Sequence, residues 1–152
     1  MYSKEEASKI KQEFWTTIGR YISPIPSADG LKINWINYKT GIKSVSIKLE
    51  AERDQASIGF YISHVDTALQ ELFFLQFETY RTILHEQLQE EWDWVMHTST
   101  IDGRVISKIS KTLTPVNIYD KADWPMLIAF FKPRIIALDE FWSLAKYGFE
   151  GL

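Results

Sequence analysis

The sequence predicts an α+β domain: an antiparallel sheet of about five strands with three long helices packed mainly on one face, in the order α-βββ-α-ββ-α. Three features carry that reading. Apolar residues recur every three or four positions in three long stretches, apolar and polar residues alternate between those stretches, and Asp102-Gly103 separates two β-rich runs.

The first helix is announced by Ser3-Lys4-Glu5-Glu6, a hydroxyl followed three residues later by a carboxylate, the spacing that satisfies free amides at a helix start. Ala7, Ile10, Phe14, Ile18 and Tyr21 continue as one stripe, and Pro24, Pro26 and Ser27-Ala28-Asp29-Gly30 end it. Three strands are expected next, at Lys32–Tyr38, Lys43–Glu52 and Ala56–Ser63. In the second, Val45, Ile47 and Leu49 face one way and Ser46, Lys48 and Glu50 the other; the third turns Ile58, Phe60 and Ile62 inward. Tight turns at Lys39-Thr40-Gly41 and Arg53-Asp54-Gln55 make these strands antiparallel neighbours.

Asp66 caps a long second helix on which Leu69, Phe73, Phe77, Tyr80, Leu84 and Leu88 keep helical spacing. Trp92–Ser99 and Arg104–Leu113 pair through Asp102-Gly103, both of which tolerate the positive φ of a type I′ turn. A last helix opens at Asp120 or Asp123 with Pro125 in its first turn; Pro133 is expected to kink or split it, and Gly148 to end it. Phe14, Ile47, Phe60, Phe73, Phe77, Trp94 and Phe141 lie on the apolar stripes and form the expected core.

With 152 residues, 45% of them hydrophobic and 24% charged, the chain reads as one globular domain over residues 1–152. The absence of cysteine excludes a disulfide framework, a thiolate nucleophile and thiolate metal sites. The N-terminal stretch alternates charged and apolar residues without a signal-peptide core, and no uncharged apolar run approaches the ~20 residues a bilayer requires. A cytoplasmic protein with no membrane partner is expected. Net charge is −3 but uneven: residues 1–49 carry eight Lys/Arg against four Asp/Glu, and residues 50–100 carry two against ten. Surplus cations therefore lie in the first third, where they would serve a nucleic-acid partner.

Catalytic signatures are missing. His64, His85 and His97 are scattered, and His85-Glu86 lacks a second imidazole four residues on, where Gln89 stands. Glu50, Glu52 and Asp54 share one strand face and could hold a hard cation, yet a solvated strand end explains them as well. No nucleophile elbow, phosphate loop or dinucleotide fingerprint occurs. The element order does match a restriction-endonuclease-like core, and Glu50 could supply its first metal-binding carboxylate. The third strand, however, has neither the acid nor the lysine that such a site needs. No catalytic, cofactor-binding or metal-binding residue is assigned, and folding is expected to need no metal or cofactor.

One surface stands out. Trp35 and Tyr38 fall on the first expected hairpin beside Lys39, Lys43 and Lys48, and rings interleaved with cations can stack on bases or anchor a protein. A covered sheet face with lysine-blunted edges is the plain alternative.

Gly30-Leu31-Lys32-Ile33-Asn34-Trp35-Ile36-Asn37-Tyr38-Lys39-Thr40-Gly41 and Phe130-Phe131-Lys132-Pro133-Arg134-Ile135-Ile136-Ala137-Leu138-Asp139-Glu140-Phe141-Trp142 resemble the bacterial family called domain of unknown function 4268, over nearly the whole chain. Members of that family occur alone or appended to a nuclease-like domain. The resemblance implies an accessory role near nucleic-acid metabolism or defence, and supplies no catalytic residues. The leading expectation is a noncatalytic interaction or assembly domain that self-associates. Behind it stand a nucleic-acid-binding accessory module, a degenerate restriction-endonuclease-like domain and an enzyme of another type.

Overall fold

The computed structural model describes residues 2–152. Helix α1 runs Lys4–Ile22 and begins as its sequence dictates: the Glu6 amide donates to Ser3 Oγ at 3.2 Å, and the Ser3 hydroxyl donates to Glu6 Oε1 at 3.1 Å. Strands β1 (Val45–Ala51) and β2 (Ala56–Ile62) follow, then helices α2 (Thr67–Thr79) and α3 (Arg81–Leu88), strands β3 (Asp93–Ser99) and β4 (Val105–Leu113), and helix α4 (Trp124–Ala145). The strands make one antiparallel sheet in the order β1-β2-β4-β3.

The fold is α+β with four strands and four helices, against about five strands and three long helices expected. The missing strand is Lys32–Tyr38, which forms turns and irregular backbone. Asn34 explains why: its side-chain oxygen accepts from the amides of Ile36 and Asn37, both at 3.1 Å, closing a local turn that a sheet ladder cannot share. The long second helix is two helices. At Tyr80 the backbone leaves helical geometry (φ −99°, ψ 13°), and the Tyr80 ring packs near Phe141 and Phe149. Pro133, expected to kink or split the last helix, sits inside an uninterrupted α4. It and Ala129, whose carbonyl loses its intrahelical donor, are both exposed, so water can take the donor's place.

The β3–β4 connection also differs from expectation. Only Gly103 has positive φ there (+83°), and Thr100 and Arg104 bracket three loop residues, so the turn is not type I′.

One sheet face and the helices share the core. Ile47 pairs with Phe60, Phe60 with Ile109, and Ile109 with Trp94, so these side chains stand on one face. Phe60 meets Phe77 of α2 at 4.8 Å and Phe141 and Trp142 of α4 at 5.8 and 5.7 Å. Helix α4 is apolar on most sides because the sheet, α1 and α3 all lie against it. Six of the seven expected core residues are buried; Trp94 is half-exposed under Arg81, and Trp92 is buried instead.

The opposite sheet face carries Ser46, Lys48 and Glu50 beside Ser57, Gly59 and Tyr61, then Lys108, Ser110 and Thr112. Here Gly59 is required by its neighbours. A Cβ at this position would overlap the Ile109 carbonyl oxygen and fall 2.7 Å from Ser110 Cβ. Gly59→Ala must therefore spread β2 from β4, and a loss of about 1–3 kcal/mol is expected in urea unfolding. An unchanged midpoint would show that the strands part freely.

Candidate functional site

The connection from α1 to β1, residues 23–44, is long and irregular but tightly fixed. Its anchor is Asp139 of α4, only 4% exposed. Asp139 Oδ2 accepts from the Ala28 amide at 2.7 Å, and Oδ1 accepts from the Tyr38 hydroxyl at 2.5 Å. Burial, and then the hydrogen bond to this carboxylate, push the Tyr38 phenol well above its usual range. The Trp142 indole donates to the Thr40 carbonyl at 2.8 Å, and Thr40 Oγ1 donates to the Val45 carbonyl at 2.6 Å. Together these bonds seat the connection on α4 and feed it into β1.

This arrangement corrects the aromatic part of the expected surface. Trp35 is 2% exposed and its indole donates to the Ile25 carbonyl at 2.9 Å; Tyr38 is half-buried with its hydroxyl on Asp139. Trp35 therefore offers no ring face to a base, and Tyr38 offers only part of one. Lys39, Lys43 and Lys48 are exposed. Lys39 lies on the connection, Lys48 stands on the polar sheet face with its ammonium 5.2 Å from the centre of the Tyr61 ring, and Lys43 borders a cleft at the sheet's end. Glu50, the candidate metal carboxylate, accepts from the Tyr61 hydroxyl at 2.6 Å. Among the described residues, no three His, Asp or Glu side chains gather closely enough to hold a metal ion.

The cleft beside Lys43 has a volume of about 590 Å³. Its charged and polar margin includes His64 and Arg104, and its apolar wall is Val65, Val105 and Ile106. Fully buried Gln70 braces it from behind: the amide donates to the His64 and Val105 carbonyls at 2.9 and 2.5 Å and accepts from the Ser107 hydroxyl at 3.1 Å.

A second feature lies on the helical layer. Gln87 of α3 donates to Glu140 of α4, while Tyr80, at the start of α3, lies against Gly148. The two helices are therefore antiparallel, and one turn from the Gln87–Glu140 contact Ile83 comes level with Leu144. Gln76 of α2 donates to the Gly148 carbonyl at 2.8 Å, which brings α2 and Leu72 to the same end. Leu72, Ile83, Leu144 and Tyr147 are 43%, 49%, 74% and 63% exposed. These four exposed apolar side chains, on α2, α3, α4 and the turn that follows it, make up the seam.

Sequence reasoning missed Asp139, the cleft and the seam. Asp139 did leave a trace: it lies in helical phase with Ile135 and Trp142, an acid on a buried stripe. The seam left none, since an outward leucine reads like any other.

Fold and site together define a two-layer α+β domain with a largely apolar, cation-edged cleft at the sheet's end and exposed apolar side chains on the helical layer. The chain belongs to the family described as domain of unknown function DUF4268, whose model matches residues 10–146. No curated protein and no solved structure matches the chain. Among the described residues, no helix is long and apolar enough to cross a membrane.

Proposed function

We propose that the chain is a noncatalytic assembly domain that pairs with a second copy of itself through the seam of Leu72, Ile83, Leu144 and Tyr147. The observation that carries this reading is the exposure of four large apolar side chains on adjoining helices. One patch on each copy, related by a two-fold axis, makes a self-complementary contact. With its polar rim such a contact covers on the order of 1,000 Å² in total, the lower bound for a specific interface. A reversible, concentration-dependent dimer is therefore expected.

Against the nucleic-acid alternative, Trp35 is buried and the Tyr38 hydroxyl is held on Asp139. The restriction-endonuclease-like alternative loses the first strand of its element order. Sedimentation equilibrium across a concentration series tests the assembly reading. Dimer is expected in the wild type, and monomer under the same conditions in the Ile83→Glu/Leu144→Glu double variant with an unchanged circular dichroism spectrum. A wild type that stays monomeric at about 100 μM, where even a weak interface of this size would be populated, rejects the proposal.

A further inference from the structure

We infer that the cleft between the ends of β1, β2 and β4 binds an organic phosphomonoester, its phosphate held by Lys43, His64 and Arg104 and its organic body lying on Val65, Val105 and Ile106. The inference is independent of the assembly seam, which lies on the helical layer.

Three observations carry it. First, the residues bordering the cleft include two cationic side chains and no carboxylate, although the chain as a whole is acidic. The nearest acids have other partners: Asp66 accepts from the Ala68 amide at 2.9 Å, and Asp102 Oδ2 lies 3.3 Å from Arg104 Nε. That last pair is largely solvent-exposed and weak, and the guanidinium keeps further N–H donors for a ligand. Second, the tautomer of His64 is fixed. The Asp66 amide donates to His64 Nδ1 at 2.9 Å, so that nitrogen carries a lone pair and the ring proton sits on Nε2 as a donor. An ammonium, a guanidinium and an imidazole N–H, contributed by three separate segments, suit the three terminal oxygens of a phosphomonoester better than the two of a planar carboxylate. Third, the cleft is braced and roomy. Gln70 ties the His64 and Val105 backbones together, and about 590 Å³ lies within the range of small-molecule sites. Exposed Val65 and Val105 and buried Ile106 give an apolar or aromatic body a surface to cover beside the donors.

The same chemistry could arrive as a free nucleotide or as the 5′-phosphorylated end of a strand. Titration calorimetry on the full chain separates the two sources. The probes are phenyl phosphate and adenosine 5′-monophosphate, each beside its dephosphorylated form, and a short single strand with and without a 5′-phosphate. Each phosphorylated probe that fits is expected to bind at least about tenfold more tightly than its unphosphorylated partner, as charge-assisted hydrogen bonds require. Binding by the small monoesters assigns the cleft to a free metabolite; binding by the phosphorylated strand alone assigns it to a strand end, and either supports the site. Lys43→Gln with Arg104→Gln, both exposed positions that leave folding intact, should weaken binding by about tenfold or more. Ile83→Glu/Leu144→Glu should leave it unchanged, so loss of assembly and loss of the ligand are read apart. Indifference to the phosphate in every pair, or to the Lys43/Arg104 double variant, overturns the inference.

Discussion

Truncation of Phe77 to alanine is expected to remove about 3–5 kcal/mol of stability, the loss typical of a buried phenylalanine. Phe77 is fully buried, and its ring lies 4.8 Å from Phe60, 6.0 Å from Trp142, 6.4 Å from Phe141 and 4.5 Å from Phe149. It is thus the point where α2, α4, the sheet and the C-terminal turn meet. The four neighbours are themselves large and held by other rings, so they cannot close over the void. At ~2–4 °C per kcal/mol for a chain of this length, the melting temperature should fall by roughly 10 °C. Phe77→Leu, which keeps most of the volume, should lose less than half as much. A loss below about 1 kcal/mol for the alanine variant would mean that the aromatic cluster repacks around the gap.

The second large effect is expected at Asp139, where alanine should cost about 3–5 kcal/mol. Two donors lose a charged acceptor at once: the amide of exposed Ala28 and the hydroxyl of half-buried Tyr38, both held on the buried Asp139 carboxylate. The amide of Asp139→Asn retains one acceptor oxygen, so that variant should fall between alanine and wild type, and Tyr38→Phe should resemble it. Limited proteolysis adds a local readout, since cleavage within residues 23–44 should accelerate in Asp139→Ala before global unfolding does. Equal proteolysis rates in mutant and wild type would show that other contacts hold the connection.

This contact also sets an alkaline limit. The Tyr38 phenol is raised in the folded state by burial and by the carboxylate beside it. Such a group favours the fold while it is protonated, so its contribution is complete below the unfolded value near pH 10 and is lost as pH rises through the folded value. The stability gap between wild type and Tyr38→Phe should accordingly be constant from pH 7 to about 9 and narrow above about 10. A gap that widens with pH would contradict the sign.

Most of the fold was legible because local signals and burial agree. Ser3 and Glu6 mark the start of α1, Val45 to Leu49 alternate as a half-covered strand, and Asp102-Gly103 sits where β3 turns into β4. The failures occurred where a tertiary partner overrode a local pattern. The alternation around Trp35 looked like a strand, but the ring turned inward to the Ile25 carbonyl and Asn34 bent the backbone. Periodicity ran unbroken through Tyr80, because one residue outside helical geometry leaves the order of buried side chains intact. Trp94 was expected in the core, but the sheet face covers it only partly, and Arg81 lies over its ring at 4.7 Å. The cleft was invisible for a different reason. Lys43, His64 and Arg104 belong to three segments far apart in sequence, and only the strand order makes them neighbours.

The Asp139 anchor has a consequence for synthesis as well as stability. Its two bonds span 111 and 101 residues, so the connection that follows α1 has no seat until α4 has been made. Helix α1 waits too, since Phe14 packs near Phe131 of α4. During translation the residues ahead of β1 therefore remain unanchored while the sheet strands emerge, and the final helix docks as the step that locks both ends together. A nascent chain halted before residue 139 should remain protease-sensitive from its N-terminus to β1, and become resistant once α4 is complete.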